Sequence, residues 1–431
     1  MTQRANFRYD ASTDFTQGGF GRRFAHLKGY VDRRSLFSPA MAFALAICGT
    51  YSFAGIVNRF IPEGSTGSIL VRVAIALVTL VSFALVPSRL RSSTPALLPM
   101  KIFFIFYLGR LVENVYISSL SIPPGPEMVF GFFLVSSVAA TLLISSMDRV
   151  IRNTDLTFAM NILCGFFLIG LYLNRDILFA SGSRMSLEKI NPISMGHTAF
   201  AFLIYFALVA GKTKKLTIVA VIFSPILLLI VVWARSRGAY IAGAGALLIY
   251  VLLLKGSKRV FAICGAFLVA AVILISTGAE LVDVIIARLQ QIDPDVDRST
   301  MGRALFYAGA WRQFLDDPLF GRYAIEMQMN FYPHNIYLES LMSVGAIGSL
   351  PFAAHIILAL RSAVGIIRAG KFPLAAVLTA VLFIREAIAS LASGSLWGNS
   401  GFWVTSALTI SFWYGFQGFL HKSRNLENRS S

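Results

Sequence analysis

The sequence predicts an all-α polytopic membrane protein with about 12 transmembrane helices and one large outer loop that carries short amphipathic helices. Three observations predict this class. The chain is 56% hydrophobic and only 14% charged over its 431 residues, whereas soluble domains carry about 25% charged residues. Apolar runs long enough to cross ~30 Å of hydrocarbon, each of ~20 residues, recur from end to end. Cations gather in alternate connections between those runs, as the positive-inside rule requires of cytoplasmic loops.

In chain order, a basic tail over residues 1–37 precedes nine predicted spans within residues 38–277. These are Pro39–Val57, Ser68–Val86, Ile102–Ser118, Met128–Ser145, Thr157–Leu173, Ile193–Gly211, Leu216–Ala234, Gly238–Leu254 and Val260–Thr277. Residues 278–335 form the large outer loop. Residues 336–420 hold the last three spans, Ile336–Leu360, Phe372–Leu391 and Phe402–Leu420, and a tail over 421–431 follows. The first thirty-odd residues are polar and show no apolar core of a cleavable signal peptide. No internal repeat or low-complexity tract stands out.

The formal net charge is +17. With the amino terminus inside, the inner connections carry clusters such as Arg22, Arg23, Lys28, Arg33 and Arg34, then Lys212, Lys214 and Lys215, then Lys255, Lys258 and Arg259. The outer connections near residues 58–67, 119–127 and 393–401 carry almost none. This distribution accounts for the charge without nucleic acid and gives membrane lipids, anionic headgroups in particular, as its partner. Cys48, Cys164 and Cys264 fall in apolar runs without metal-ligand spacing and read as small buried hydrophobes.

Two outer segments break the charge pattern. One, residues 174–192, holds Arg175, Arg184 and Lys189; the other is the large loop. In that loop Leu281, Val284, Ile285 and Leu289 recur at helical spacing, which predicts a helix lying at the interface. A second stripe, Phe306, Ala310, Trp311 and Phe314, follows Gly302-Arg303, and Asp317-Pro318 ends it.

Three stretches could carry chemistry. In Trp233-Ala-Arg-Ser-Arg-Gly-Ala-Tyr240, two arginines lie between spans on the outer side. They are either snorkelling guanidiniums at a helix end or an anion site, since Arg237 stands beside a helix N-terminus with free N–H groups. Met301-Gly-Arg303 opens the aromatic helix. Tyr332-Pro-His-Asn-Ile-Tyr-Leu-Glu339 runs into Ser343-Val-Gly-Ala-Ile-Gly348, placing His334 and Asn335 at the membrane surface and glycines where helices pack closely.

These stretches, with Asp-Pro-Leu-Phe-Gly321 between them, resemble the O-antigen ligase and polymerase superfamily over roughly residues 191–348. The resemblance implies an enzyme of the bacterial inner membrane, multi-pass with both termini cytoplasmic. It implies metal-independent transfer of a glycan, without cofactor, from undecaprenyl diphosphate to a sugar hydroxyl on the periplasmic side. The acceptor would be lipid A core for a ligase or a growing polysaccharide for a polymerase. On the resemblance, Arg237 and Arg303 grip the diphosphate and His334 accepts the hydroxyl proton. Arg235, Arg184, Asn335 and Tyr337 are candidate substrate-binding residues.

The residue types suit that chemistry. Guanidiniums bind phosphate oxygens bidentately and stabilise charge as the bond breaks, and an imidazole titrating near ~6.5 is a fit base at neutral pH. The Asp295-Val-Asp297 turn is the one Asp-x-Asp spacing in the outer loops and reads as an ordinary acidic turn rather than a metal site. Arg72, Arg110, Glu113, Glu339, Arg385 and Glu386 fall inside predicted spans and are expected to face the bundle interior, with Arg110 and Glu113 satisfying one another at i,i+3. His197 reads as a hydrogen-bonded core residue, and His26, His355 and His421 are not placed for the reaction. A transporter of an anionic or lipid-linked substrate is the alternative; against it, the chain shows no paired broken helices in two halves.

Overall fold

A computed structural model describes residues 36–60, 66–92, 94–117, 125–132, 137–178, 192–256 and 298–430. Among these residues the protein is helical, and the one piece of β-pairing is an isolated bridge between Glu326 and Phe331. Among the described residues, six helices are long and apolar enough to cross a membrane. The predicted ninth span, the Leu281–Leu289 stripe, Arg184, Asp295 and Asp297 lie outside the described residues.

The first span is built from α1 (Pro39–Ala44), a π-type turn over Leu45–Gly49, and α2 (Thr50–Phe60). Pro39 opens it and the Ser38 hydroxyl accepts from the Met41 N–H at 3.1 Å, so the first turn is capped. Helices α3 (Thr66–Leu85) and α4 (Leu98–Val112) follow. The predicted Met128–Ser145 span holds two helical pieces, α5 (Pro126–Phe130) and α6 (Val138–Ser145). Ser137, with φ −127° and ψ −67°, starts the second afresh.

Helix α7 (Asn153–Leu173) crosses α2 where Gly55 meets Gly170. A side chain at either glycine would come within about 3.0–3.1 Å of the other's backbone. Small residues thus set the crossing distance, as is usual where lipid supplies no hydrophobic drive between helices. The Asn174 Nδ2 donates to the carbonyls of Gly55 and Gly170, both at 2.7 Å, and locks the crossing.

Next come α8 (Pro192–Val209), α9 (Lys214–Ala234) and α10 (Arg237–Leu253). The Phe200 ring of α8 fills the space a side chain on Gly243 of α10 would need. Helix α11 (Arg298–Asp316) matches the aromatic helix expected to end at Asp317-Pro318. Helices α12 (Ile336–Ala369), α13 (Leu374–Ala389) and α14 (Ser400–Ser430) complete the chain.

Helix α13 has only 16 residues and is buried on nearly every side, packed against α10, α12 and α14. It is a central post of the bundle, and its burial against other helices keeps Arg385 and Glu386 inside the protein. Phe103 of α4, stacked with Tyr107 of the same helix, also packs on Phe352 of α12 and Trp403 of α14 in one aromatic core.

Candidate active site

The Tyr332-Pro-His-Asn turn has a local cause for its shape. His334 takes a left-handed conformation, φ +59°, uncommon for a residue with a side chain. Asn335 then caps α12: its Oδ1 accepts from the N–H groups of Tyr337 at 3.0 Å and Leu338 at 3.1 Å. The candidate substrate contact at Asn335 therefore has its carbonyl oxygen committed to the helix, and its evident work is to fix His334 one residue before the cap. Tyr337 is likewise engaged, donating its hydroxyl to the Ala387 carbonyl at 2.8 Å.

The end of α13 anchors both halves of the site. The Ile336 N–H donates to the Ser390 carbonyl at 3.1 Å, and the Tyr307 hydroxyl of α11 donates to the Leu391 carbonyl at 2.8 Å. Arg303, Phe306 and Tyr307 stand at i, i+3 and i+4, so one face of α11 turns toward His334. The Phe306 and His334 ring centroids are 5.8 Å apart. Phe331 and Tyr332 add contacts at 5.5 and 4.5 Å, leaving the imidazole in an aromatic box. A hairpin holds these rings: Glu326 exchanges both backbone hydrogen bonds with Phe331, and its carboxylate accepts from the N–H groups of Gln328 and Met329.

Electrostatics follow from that box. Burial, and secondly the Arg303 guanidinium, push the His334 pKa down from 6.5 to about 4. The imidazole is neutral at neutral pH, with a lone pair free to take a proton. Burial also raises Tyr332 to about 12, so its phenol stays protonated. Tyr307 is raised too, by burial and against the pull of Arg303.

The glycine-rich stretches expected to allow close packing form a backbone junction. Gly321 and Gly345 both have φ +63°, and Gly345 kinks α12. A Cβ on Gly345 would fall 2.3 Å from the Leu319 carbonyl carbon. The N–H groups of Ala346 and Ile347 reach the carbonyls of Pro318 and Leu319 at 2.8 and 3.1 Å. Arg110 secures this junction, donating to the carbonyls of Ser343, Phe320 and Gly321 while paired with Glu113. The expected Arg110–Glu113 pair is present and carries this second duty.

At the other turn, Arg235 ends α9 with φ +46°, and the Ser236 hydroxyl accepts from the Ala239 N–H at 3.4 Å to start α10. Arg237 occupies the first turn of α10 and is 8% exposed, so this guanidinium is inside the protein rather than snorkelling to water. Gly238 lies against the His197 ring, 3.9 Å from Nε2 to the place of a Cβ.

The structure thus brings His334 and Arg303 together and sets Arg237 in a separate turn. His197, whose ring lies against Gly238, lines a cavity of about 190 Å³ together with Tyr51, Arg72, Arg385, Glu386 and Asn399, among others. Tyr51 is the aromatic residue of that lining. Sequence reasoning missed Tyr51, Phe306 and Tyr332 as parts of the site. The i+3 and i+4 spacing of Phe306 and Tyr307 from Arg303 was a usable signal, but nothing local marks Tyr51, which arrives through tertiary packing.

A family model described as O-antigen ligase matches residues 222–353. The matched stretch contains Arg235, Arg237, Arg303, His334, Asn335 and Tyr337, and ends eight residues past the Gly345 kink. No curated protein matches the chain.

Proposed function

Since this chain carries the O-antigen ligase superfamily segment over residues 222–353, we propose that it is an inner-membrane glycosyltransferase that moves a glycan from undecaprenyl diphosphate to a sugar hydroxyl on the periplasmic side. The observation that carries this reading is the neutral His334, boxed by aromatic rings beside Arg303 within the family segment. A base at an acceptor hydroxyl must be unprotonated, and a diphosphate leaving group needs fixed cations.

In the reaction, the acceptor oxygen bonds to the anomeric carbon as the bond from that carbon to the phosphate oxygen breaks. His334 takes the hydroxyl proton, and undecaprenyl diphosphate leaves with the bonding electron pair. Arg303, with Arg237 reaching the same anion from its turn, stabilises the charge that grows on the leaving oxygen. The diphosphate also raises the His334 pKa when it binds, because an anion favours the imidazolium. The base therefore gains strength in the complex where it is used, and the released diphosphate can take the proton from it afterwards.

Purified protein in detergent, supplied with a lipid-linked glycan and a sugar acceptor, is expected to form a new glycosidic bond and release undecaprenyl diphosphate. The yield should survive EDTA, since the arginines do the work of charge neutralisation. Loss of transfer on chelation, restored by a divalent cation, would show that they are insufficient. Specific uptake of intact lipid-linked glycan into proteoliposomes without any bond formation would favour the transporter instead.

A further inference from the structure

The cavity lined by Arg72, Arg385 and Glu386 is built differently from a phosphate cradle. Arg385 and Glu386, adjacent at the end of α13, pair with each other inside it, and Arg385 also donates to the His197 carbonyl. The strongest buried cation there is therefore already neutralised. The rest of the lining is mixed: Arg72 brings a guanidinium, Tyr51 a phenol and Glu386 a carboxylate. Such a lining can both donate and accept, which suits an occupant that does the same.

Shape and rim agree. At about 190 Å³ the space is smaller than the ~300 Å³ and upward of drug-sized pockets. Tyr51 offers an aromatic wall, and the 393–401 loop brings Gly394, Gly398 and Gly401 to the rim. A Cβ on Gly401 would come within 2.9 Å of the Glu386 Oε1, so glycine there leaves the carboxylate uncovered. Hydroxyl groups on a ring with apolar faces match this mixture of donors, acceptors and an aromatic surface.

We infer that this cavity, beside the Arg237 turn, is a subsite for a single uncharged sugar ring of the substrate, held by Arg385–Glu386, His197, Arg72 and Tyr51. The inference rests on the glycosyl-transfer reading and deepens it, because it says where the ring next to the reacting bond sits. The ring comes either from the donor, as the sugar bonded to diphosphate, or from the acceptor.

Three variants test it: Arg72→Gln and His197→Asn, which remove hydrogen-bonding groups, and Ala76→Phe, which fills the space from the α3 wall. Each is purified as monodisperse protein and measured against three readouts. These are binding of undecaprenyl diphosphate without sugar, binding of the glycan-bearing lipid, and KM for the acceptor.

If the ring is the donor's, binding of the glycan-bearing lipid weakens by about 10-fold, as expected for lost hydrogen bonds to a desolvated ligand, and the sugar-free lipid binds as before. If it is the acceptor's, the acceptor KM rises by about the same factor and both lipids bind normally. All three readouts within about twofold of wild type, the expectation for a cavity that holds only water, would overturn the subsite and leave the proposed function standing. Donor binding needs no turnover: a wild-type protein that shows the binding pattern but transfers nothing would overturn the transfer reading and keep the subsite. Ala76→Phe adds volume to empty space, so the test survives even if His197→Asn does not fold.

Discussion

At the scale of single residues, the site depends on a histidine kept neutral and held in an unusual backbone conformation. Lowered to about 4, His334 should be an available base throughout the neutral range. The acid limb of kcat/KM, which reports the free enzyme, is expected near pH 4 rather than near the ~6.5 of an ordinary imidazole. Activity is present above that limb and lost as pH falls through it. The limb of kcat should lie higher, because bound diphosphate favours the imidazolium. Arg303→Gln removes the smaller of the two causes and should move the kcat/KM limb part of the way back toward ~6.5. A limb that stays in place would mean that Arg303 does not act on His334.

Asn335 is a positioning residue at this scale. Removing its cap in Asn335→Ala is expected to lower stability by about 1 kcal/mol and to reduce kcat, with Asn335→Asp restoring both. Thermal unfolding and turnover of the purified variants check the pair. Rescue of stability without rescue of turnover would instead give Asn335 a direct contact with substrate.

At the scale of elements, the turn that follows α11, residues 317–321, meets α12 through backbone rather than side chains. Gly345→Ala would force a side chain into φ +63° and within 2.3 Å of the Leu319 carbonyl carbon. We expect a loss of about 2–5 kcal/mol from strain and overpacking together, read as a lower unfolding temperature in detergent. Gly109→Ala in α4, where a Cβ meets nothing within 4 Å, is the control and should leave that temperature nearly unchanged.

The elements also show how far sequence reasoning reaches. Helix α11 was legible because its apolar stripe and its Asp317-Pro318 stop are local signals. The start of α12 was legible because Asn335 and the apolar run announce it. That α13 would be a buried 16-residue post was not legible, since an apolar run reads the same whether lipid or protein surrounds it. The polar cavity escaped for a related reason. Arg72, Arg385 and Glu386 were each expected to face inward; Arg385 and Glu386 are buried while Arg72 is exposed, and only packing shows that all three line one space with Tyr51 and His197.

At the scale of the whole molecule, a multi-pass membrane protein carries the family segment in its second half. Its proposed orientation follows from the cations: both termini and Lys212–Lys215 inside, with the α11 loop outside. In a background lacking Cys48, Cys164 and Cys264, a cysteine at Ser299 should react with an impermeant reagent in intact cells, and one at Thr213 should not. The reverse pattern would put the His334 site on the cytoplasmic side and remove the periplasmic reading.

The central claim is that His334 is the base and Arg303 holds the leaving diphosphate. Single-turnover transfer by purified His334→Ala and Arg303→Lys, measured beside their binding of an undecaprenyl diphosphate analogue, tests it most directly. The account predicts that His334→Ala binds the analogue nearly as wild type while transfer falls by about 10²–10⁴-fold. It predicts that Arg303→Lys loses both, because an ammonium keeps the charge without the bidentate fork. A folded, monodisperse His334→Ala protein that transfers glycan at close to the wild-type rate would contradict the account.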